Sequence, residues 1–474
     1  MAEPLPAEIA APTPGYQAEE GYPSSARAWF TVGVLTLASM SATIDGSILS
    51  MLVDPVRRDL GISDTQISLL MGFTVAVFFS VLAYPIGRLA DSRSRRAIIT
   101  SGVALWSVMT FICGLVRRFA QFFVARIGLG IGESTLAPAA LSIISDSFPK
   151  RRLATAISVL GFGTFLGSGL SIWLGGALVG AVSAREYWTL PLLGPMRPWR
   201  TVFPILGVSG LLVFLLMYAV REPQRHGGRW RAPGNVGGAV PMKEVFRYLG
   251  ANRRTFVCHI LGFSLFALHN MAFAAWLPTF FMRTYGWSPA RVGAVYGPML
   301  IGLGCLGVLA GGRLADWLES RGHTDGKLKA GMISAAAVIP FIVLYPLMPS
   351  GTAAMIALIP FTFLVSCPVG AASAALLAIT PNPMRAQVSA VYLMVVHLLS
   401  SGLGPTAVAL VTDHLFHDDL ALRYSLIVTG VPVMAASAAL LAAGLGPYRR
   451  SWVQCEKWIA GGSSVVAAGS TPEG

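Results

Sequence analysis

The sequence predicts an all-α integral membrane protein of twelve transmembrane helices, arranged as two pseudo-symmetric six-helix bundles. The 474-residue chain is 54% hydrophobic and 12% charged, and its mean hydropathy is +0.65. One water-soluble core cannot bury that much apolar surface. The chain also contains twelve long apolar runs, and a helix needs about 20 residues to cross a bilayer. In addition, one charged motif recurs at matching places in the two halves.

The apolar runs define the elements in chain order. We interpret all of them as helices, because only helices and closed barrels satisfy every backbone polar group in lipid, and these runs lack the alternation of barrel strands. They fall at roughly 29–53, 66–87, 97–116, 120–145, 153–182, 200–220, 255–281, 289–312, 329–348, 352–379, 386–411 and 423–446.

The recurring motif is Gly-Arg-Leu-Ala-Asp at the end of an apolar run, at 87–91 and again at 312–316. Chain duplication of this kind is common in membrane transporters. We expect both copies to act at one gate on the cytoplasmic side, although simple stop-transfer charges are the alternative interpretation of the arginines. The residues assigned to this gate are Gly87, Asp91, Arg95, Arg96, Gly312, Asp316 and Arg321.

The net charge of +13 reflects the position of the basic residues. They lie between apolar runs rather than on one contiguous domain, so we expect no nucleic-acid partner. With the N-terminus in the cytoplasm, most of them fall in cytoplasmic loops, as the positive-inside rule requires. We therefore predict a multi-pass protein of the cell inner (plasma) membrane, with both termini cytoplasmic.

The loops predict the domain organisation. We expect a disordered cytoplasmic tail at 1–28, a six-helix bundle at 29–220, a cytoplasmic linker at 221–254, a second bundle at 255–447 and a cytoplasmic tail at 448–474. The linker is basic and contains Gly and Pro, and it lets the two bundles move relative to each other. The Gly/Ser/Ala-rich sequence from Ser451 predicts disorder.

Two acids and one arginine lie well inside the apolar runs. Asp45 is in the middle of the first run, and Arg126 and Glu133 are seven residues apart in the fourth, which places them on one helix face two turns apart. An ionised side chain at the bilayer centre costs ~2.5–3.5 kcal/mol. We expect these residues to line a polar cavity and to handle protons or substrate. The alternative is a buried network that only pins helices together.

His269 and Asn270, in the seventh run, are predicted to line the cavity where the halves meet. A buried histidine without a transport role is the alternative. The five cysteines are scattered and resemble apolar packing residues. Because no nucleophile elbow, zinc-protease motif, P-loop or metal-ligand spacing occurs, we expect neither an enzyme nor an ATP-driven pump, and no cofactor or metal.

The doubled layout and the segment from Gly87 to Arg96 resemble the major facilitator superfamily across almost the whole chain. Gly87, Asp91, Arg95 and Arg96 match its loop motif, whereas serines replace the usual basic residue and second glycine. The resemblance implies the major facilitator fold and transport by alternating access.

Asp45, Asp54-Pro55, the stretch 59–66, Arg126 and Gly132-Glu133 look like the spinster-type branch. This resemblance implies an amphiphilic or lipid cargo, with the first-helix acid and the fourth-helix Arg and Glu in proton coupling. One departure is Gly46, where that branch commonly has Arg. The organic-anion/proton symporters, with an Arg-Glu-Pro like that at 221–223, are the runner-up.

These inferences predict a monomeric secondary active transporter that uses protons to move a small amphiphilic or anionic organic solute across the lipid bilayer. Asp45 and Glu133 would exchange protons, while Arg126 would hold the anionic part of the cargo or neutralise the acids. A drug-type exporter of the same superfamily, a channel and a non-transporting membrane receptor remain the alternatives.

Overall fold

The computed structural model describes residues 22–190, 194–224, 242–381 and 384–468. Within these residues, 12 helical stretches are long and apolar enough to cross a membrane, and each corresponds to one predicted apolar run. Numbered spans 1 to 12 in chain order, they are Ser25–Met51, Asp64–Leu82, Arg95–Cys113, Phe119–Ser147, Thr155–Val182, Pro198–Ala219, Arg253–Tyr285, Pro289–Ser320, Gly326–Leu347, Gly351–Ala378, Gln387–Phe416 and Asp419–Glu456.

Several spans of the N-terminal half are interrupted. Span 1 tightens into a 3₁₀ turn at Ile48–Met51, and span 2 contains a π-helical turn at Leu69–Phe73. Strands Trp188–Leu190 and Gly194–Met196 form a small antiparallel pair before span 6. The α-helices of this half are Ser25–Ser47, Val53–Leu60, Asp64–Ser68, Thr74–Ser92, Arg95–Cys113, Phe119–Glu133, Leu136–Ser147, Lys150–Val182 and Pro198–Ala219.

The C-terminal half repeats this plan. Span 10 breaks at Cys367, before Pro368, and span 11 ends in a π-helical turn at Thr412–Phe416. Short 3₁₀ turns lie at Tyr345–Leu347 and Asp419–Ala421. The α-helices are Met242–Ala251, Arg253–Tyr285, Pro289–Ser320, Gly326–Leu344, Gly351–Ser366, Pro368–Ala378, Arg385–Val411 and Leu422–Ala468.

The segments outside the bundles differ from the predictions in two places. The predicted linker contains the helix Met242–Ala251, whose Val245 is buried and whose Tyr248 hydroxyl donates to the Ile379 carbonyl at 2.6 Å. Residues 1–21 and 225–241 lie outside the described residues.

The prediction of disorder from Ser451 is wrong for residues 451–468, which continue the last helix. Ser451 is buried and bonds to Asn252 and Thr255 at the start of span 7, each at 2.7 Å, and Cys455 is buried as well. Composition predicted disorder because it does not register these tertiary contacts; the predicted tail at 469–474 lies outside the described residues.

The two halves approach each other closely through glycines. A Cβ atom on Gly293 of span 8 would lie 2.5 Å from the carbonyl oxygen of Ile172 in span 5. A Cβ atom on Gly72 of span 2 would lie 1.9 Å from the carbonyl oxygen of Ser401 in span 11. Backbones at these two crossings touch directly, as small residues permit in membrane helix pairs.

One end of the molecule is closed and carries the segments 52–63, 286–288 and 417–421. Its buried core joins both halves, with Leu49 and Phe122 from one half in the same cluster as Trp276 and Phe280 from the other. We call this the closed end. The opposite end, which carries 93–94, 148–149 and 321–325, is called the motif end.

Candidate functional site

A cavity of about 610 Å³ lies between the two halves. This is within the usual size range of small-molecule sites. It extends from Ser50 and Ile172 on the side of the closed end to Leu141 and Ile157 on the side of the motif end. The C-terminal half contributes residues of spans 7, 8 and 11, including Met271 and Leu300.

One face of span 1 forms a wall of this cavity. Its lining residues follow one another at intervals of three and one, the spacing of a single helix face. All of them are small or carry a hydroxyl, so the wall is both close to the helix backbone and polar. They are Ser39, Ala42, Thr43, Gly46, Ser47 and Ser50. Sequence reasoning singled out the charged Asp45 in this helix and missed the face, although its spacing is visible in the sequence.

Glu133 lies where span 4 breaks. The helix Phe119–Glu133 stops, and Leu136–Ser147 begins after a two-residue turn. Pro138 explains the break, because a proline lacks the N–H and clashes with the carbonyl four residues earlier. Glu133 lines the cavity, and its Oε1 atom is buried with no hydrogen-bond partner among the described residues. A carboxylate at a discontinuous helix near the middle of a bundle is typical of transporter binding sites.

Arg126 is fully buried, at 0% exposure. Its Nε atom donates to the Leu70 carbonyl at 2.8 Å, within the π-helical turn of span 2, and Nη2 lies 3.5 Å from the Met71 carbonyl. The other contacts are to span 1, from Nη1 to the Asp45 carbonyl at 3.2 Å and from Nη2 to the Gly46 carbonyl at 3.3 Å. Arg126 therefore ties spans 1, 2 and 4 together through backbone oxygens and is not among the residues that line the cavity.

Asp45 is 2% exposed and does not line the cavity, whereas its neighbour Gly46 does. Its Oδ2 atom has no hydrogen-bond partner in the described part of the chain. The Asp45 carboxyl group is close enough to Glu133 and Arg126 to interact with both electrostatically. The structure thus brings the three predicted residues into one cluster, with Glu133 at the cavity and the other two behind it.

His269 and Asn270 lie elsewhere. The His269 ring packs at 5.9 Å from the ring of Phe361, inside the C-terminal half, and Gly430 leaves room for it. Neither residue is among those lining the cavity, whereas Met271, Ala274 and Ala275 of the same helix are. Which residues of span 7 line the cavity depends on the face of the helix that is turned toward it. The sequence of span 7 has no clear polar face, so it does not predict which side that is.

The closed end is sealed by an ion-pair network that sequence reasoning missed. Arg283 of span 7 binds Asp64 of span 2 with two parallel contacts, from Nη1 to Oδ2 at 2.7 Å and from Nη2 to Oδ1 at 2.8 Å. It also binds Asp54 Oδ1, with Nη2 at 2.7 Å and Nε at 3.0 Å. Asp64 is completely buried, and Arg57 lies 3.1 Å from it. Bidentate arginine–carboxylate pairs of this kind are strong and geometrically specific.

Further contacts join the halves beside this network. Asp413 of span 11 accepts from both the backbone N–H and the hydroxyl of Thr65, each at 2.7 Å. Arg57 reaches Asp419 at 2.8 Å. The acidic stretch that suggested the spinster-type resemblance therefore supplies the N-terminal side of the closure.

The predicted gate motif lies at the motif end. Arg95 is buried and pairs with Asp146 and, at 2.9 Å, with Glu222, so it links spans 3 and 4 to the segment that follows span 6. The Arg96 guanidinium lies over the Tyr218 ring at 5.5 Å.

The second copy is open to solvent. Gly312 is half-buried, whereas Asp316 and Arg321 are exposed. The Arg321 guanidinium stacks on Trp317 of its own half at 4.0 Å. The surroundings of Gly87 and of the Asp91 side chain lie outside the described part of the structure.

The Major Facilitator Superfamily model matches residues 35–405 of this chain. The chain belongs to the major facilitator superfamily. The predicted fold class is confirmed, since solved transporters of this fold superpose on the structure. A bacterial homologue of the human lysosomal transporter spinster, solved in an inward-facing and unoccupied conformation, matches with a TM-score of 0.73 and 25% identity, covering 92% of this chain and 99% of that one.

Curated members of the superfamily show where this chain falls within it. An MFS-type efflux pump of Mycolicibacterium smegmatis is 31% identical over 297 residues, which are 62% of this chain and 64% of the pump. Spinster homolog 1 of Xenopus tropicalis is 25% identical over 443 residues, covering 86% of this chain and 80% of that protein. The sphingosine-1-phosphate transporter SPNS2 of Mus musculus is 26% identical, over 65% of this chain and 56% of that protein.

The chain thus spans slightly less than two thirds of the length of the efflux pump it matches. The spinster-like relatives and the bacterial structure confirm the predicted spinster-like branch of the major facilitator superfamily. This protein is a multi-pass membrane protein of that branch.

Proposed function

We propose that the protein is a proton-coupled secondary transporter that moves a small amphiphilic organic solute through the central cavity by alternating access. The observation that supports this most directly is Glu133, which lies at a helix break on the wall of a mostly apolar cavity and whose Oε1 atom has no hydrogen-bond partner among the described residues. Intramembrane ionisable groups in such positions serve ion or proton pathways in many transporters.

The proposal assigns different tasks to the three clustered residues. Glu133 takes up and releases the proton, because it is the member of the cluster that reaches the cavity. Asp45 does not line the cavity and is the second proton acceptor of the cluster. Arg126 neutralises the two acids and fixes the helices, since its guanidinium is already bound to four backbone carbonyl oxygens. Holding an anionic cargo is not part of this assignment.

The proposed orientation follows from the charge of the loops. The motif end carries most of the basic residues and faces the cytoplasm of the plasma membrane. The structure then represents a state closed to the outside, in which Arg283 is paired with Asp54 and Asp64. Release of that network, and closure of the motif end, produces the opposite state.

Transport into proteoliposomes under an imposed pH gradient tests the proposal, with radiolabelled lysophosphatidylcholine and tetraphenylphosphonium as probes. We expect saturable uptake of at least one probe with counterflow, and loss of its dependence on the pH gradient in Glu133→Gln and Asp45→Asn. Uptake that does not saturate and shows no counterflow would indicate a channel. Gradient-driven uptake that is unchanged in both variants would remove the acids from the mechanism.

A further inference from the structure

The cavity is electrically one-sided. Among the described residues that line it, Glu133 is the one ionisable side chain, and the others are aliphatic, methionine, glycine, proline or hydroxyl-bearing. Its Oε1 atom is buried without a hydrogen-bond partner among the described residues. A buried carboxylate in this state is costly until a proton or a cation joins it.

No arginine is among the described residues that line the cavity, so none provides a cation for Glu133 there. The Arg126 guanidinium is 0% exposed and is directed at backbone carbonyls of Leu70, Asp45 and Gly46. In the cluster of Asp45, Arg126 and Glu133, one positive charge faces two acids. With both acids ionised, one negative charge remains uncompensated, and Glu133 presents it to the cavity.

Two hydroxyl groups of the wall, those of Thr43 and Ser47, offer acceptors rather than donors to a cargo. Thr43 donates its hydroxyl proton to the Ser39 carbonyl at 2.8 Å, and Ser47 donates to the Thr43 carbonyl. Their oxygen atoms retain lone pairs that can accept a further hydrogen bond. Hydrogen-bond acceptors next to a carboxylate favour a positively charged cargo over an anion.

Gly46 keeps this part of the wall free of side chains. A Cβ atom there would have open space, with nothing within 4 Å, and the residue lines the cavity. A basic side chain at position 46 would therefore extend into the same cavity as Glu133 and oppose a cationic cargo. Its absence leaves the charge of Glu133 available.

We infer that the cavity binds an amphiphilic organic cation, whose positive group pairs with Glu133 and whose apolar body packs against Leu136, Leu160 and Ile172. The inference rests on the proposed function and narrows its cargo class. Protons and the cation then compete for one carboxylate: binding of the cation releases the proton of Glu133 to water. The groups that modulate this competition are Asp45 and Arg126, which interact with Glu133 electrostatically.

Equilibrium binding to the purified full-length protein tests the inference with two probes of nearly the same shape and opposite charge, tetraphenylphosphonium and tetraphenylborate. We expect saturable tetraphenylphosphonium binding that weakens at low pH and is at least about tenfold weaker in Glu133→Gln, about 1.4 kcal/mol. Gly46→Arg should weaken tetraphenylphosphonium binding by a similar factor and allow tetraphenylborate to bind. Gly46→Gln, of comparable size and uncharged, should keep the preference for the cation.

Wild-type preference for tetraphenylborate would overturn the inference, as would equal loss of the cation in Gly46→Arg and Gly46→Gln with both proteins folded. Binding is separate from transport in this design. Gradient-driven uptake of an anion or zwitterion would keep the proposed function and reject the cation class. Selective cation binding without any flux would keep the cation class and reject the proposed transport function.

Discussion

Replacing Arg283 with glutamine should open the closed end. The side chain contacts Asp54 and Asp64 through four hydrogen bonds of 2.7 to 3.0 Å. Removing one partner from a buried ion pair typically costs ~3–5 kcal/mol. Arg57 stays 3.1 Å from Asp64 and offsets part of this, so we expect ~2–3 kcal/mol, roughly a 30- to 150-fold change in an equilibrium constant.

This cost applies to one conformation. The network joins spans 2 and 7, which belong to different halves, so it is present only while the closed end is shut. When the closed end is open, we expect the side chains of this network to be hydrated in the wild type and in the variant alike. The substitution therefore shifts the conformational equilibrium more than it lowers the stability of either bundle.

Electron–electron distance measurements detect the shift, with spin labels at Arg117 and Pro349, which are exposed on loops at this end of the two halves. The wild type should give a short distance, and Arg283→Gln should add a large population at longer distance. Arg291→Gln is the matched control, because Arg291 is exposed at the same end and stacks on Trp287 of its own half at 4.1 Å. Identical distance distributions in wild type and Arg283→Gln would refute the reasoning.

Two further predictions concern packing and the motif end. Gly72→Ala places a Cβ atom 1.9 Å from the Ser401 carbonyl oxygen, so we expect a lower melting temperature from overpacking of about 1–3 kcal/mol, and no such loss in Gly161→Ala, which has open space. Burial raises the pKa of Glu222. Hydrogen bonds from the Arg95 side chain, the Ser94 hydroxyl and the backbone N–H groups of Arg95 and Arg96 outweigh this effect and hold the pKa below its usual value. Glu222 therefore stabilises the fold at pH above about 4.3, the ordinary value, and this contribution is lost as pH falls through the lowered folded-state pKa. The melting-temperature difference between wild type and Glu222→Gln, measured from pH 7 to pH 3, should be constant above pH about 5 and shrink below it; a difference that grows at low pH would contradict the assignment.

The twelve spans could be predicted because apolar length is a local property of the sequence. Span 7, predicted at 255–281, runs from Arg253 to Tyr285, and the small differences arise at polar helix ends. The break after Glu133 was also within reach, since Pro138 disrupts the helix one turn before it. The disorder predicted from Ser451 failed because a buried hydrogen bond to Asn252 is not a compositional feature.

The closure could not be predicted in the same way. Arg283 and Asp54 are 229 positions apart in the chain. Arginines near helix ends are also common in membrane proteins, so Arg283 gives no specific signal in the sequence. Only the packing of span 7 against the end of span 1 brings the two together. The buried position of Arg126 was equally hidden, because its partners are backbone carbonyls that every residue carries.

The central claim is that proton and cargo exchange at Glu133 on the cavity wall. Proteoliposomes with a trapped pH-sensitive dye, and with the membrane potential clamped by potassium and valinomycin, test it when tetraphenylphosphonium is added outside. We predict a change of internal pH that saturates with probe concentration in the wild type and is absent in Glu133→Gln. The same pH change in both proteins, or saturable probe uptake by the wild type without proton movement, would contradict the claim.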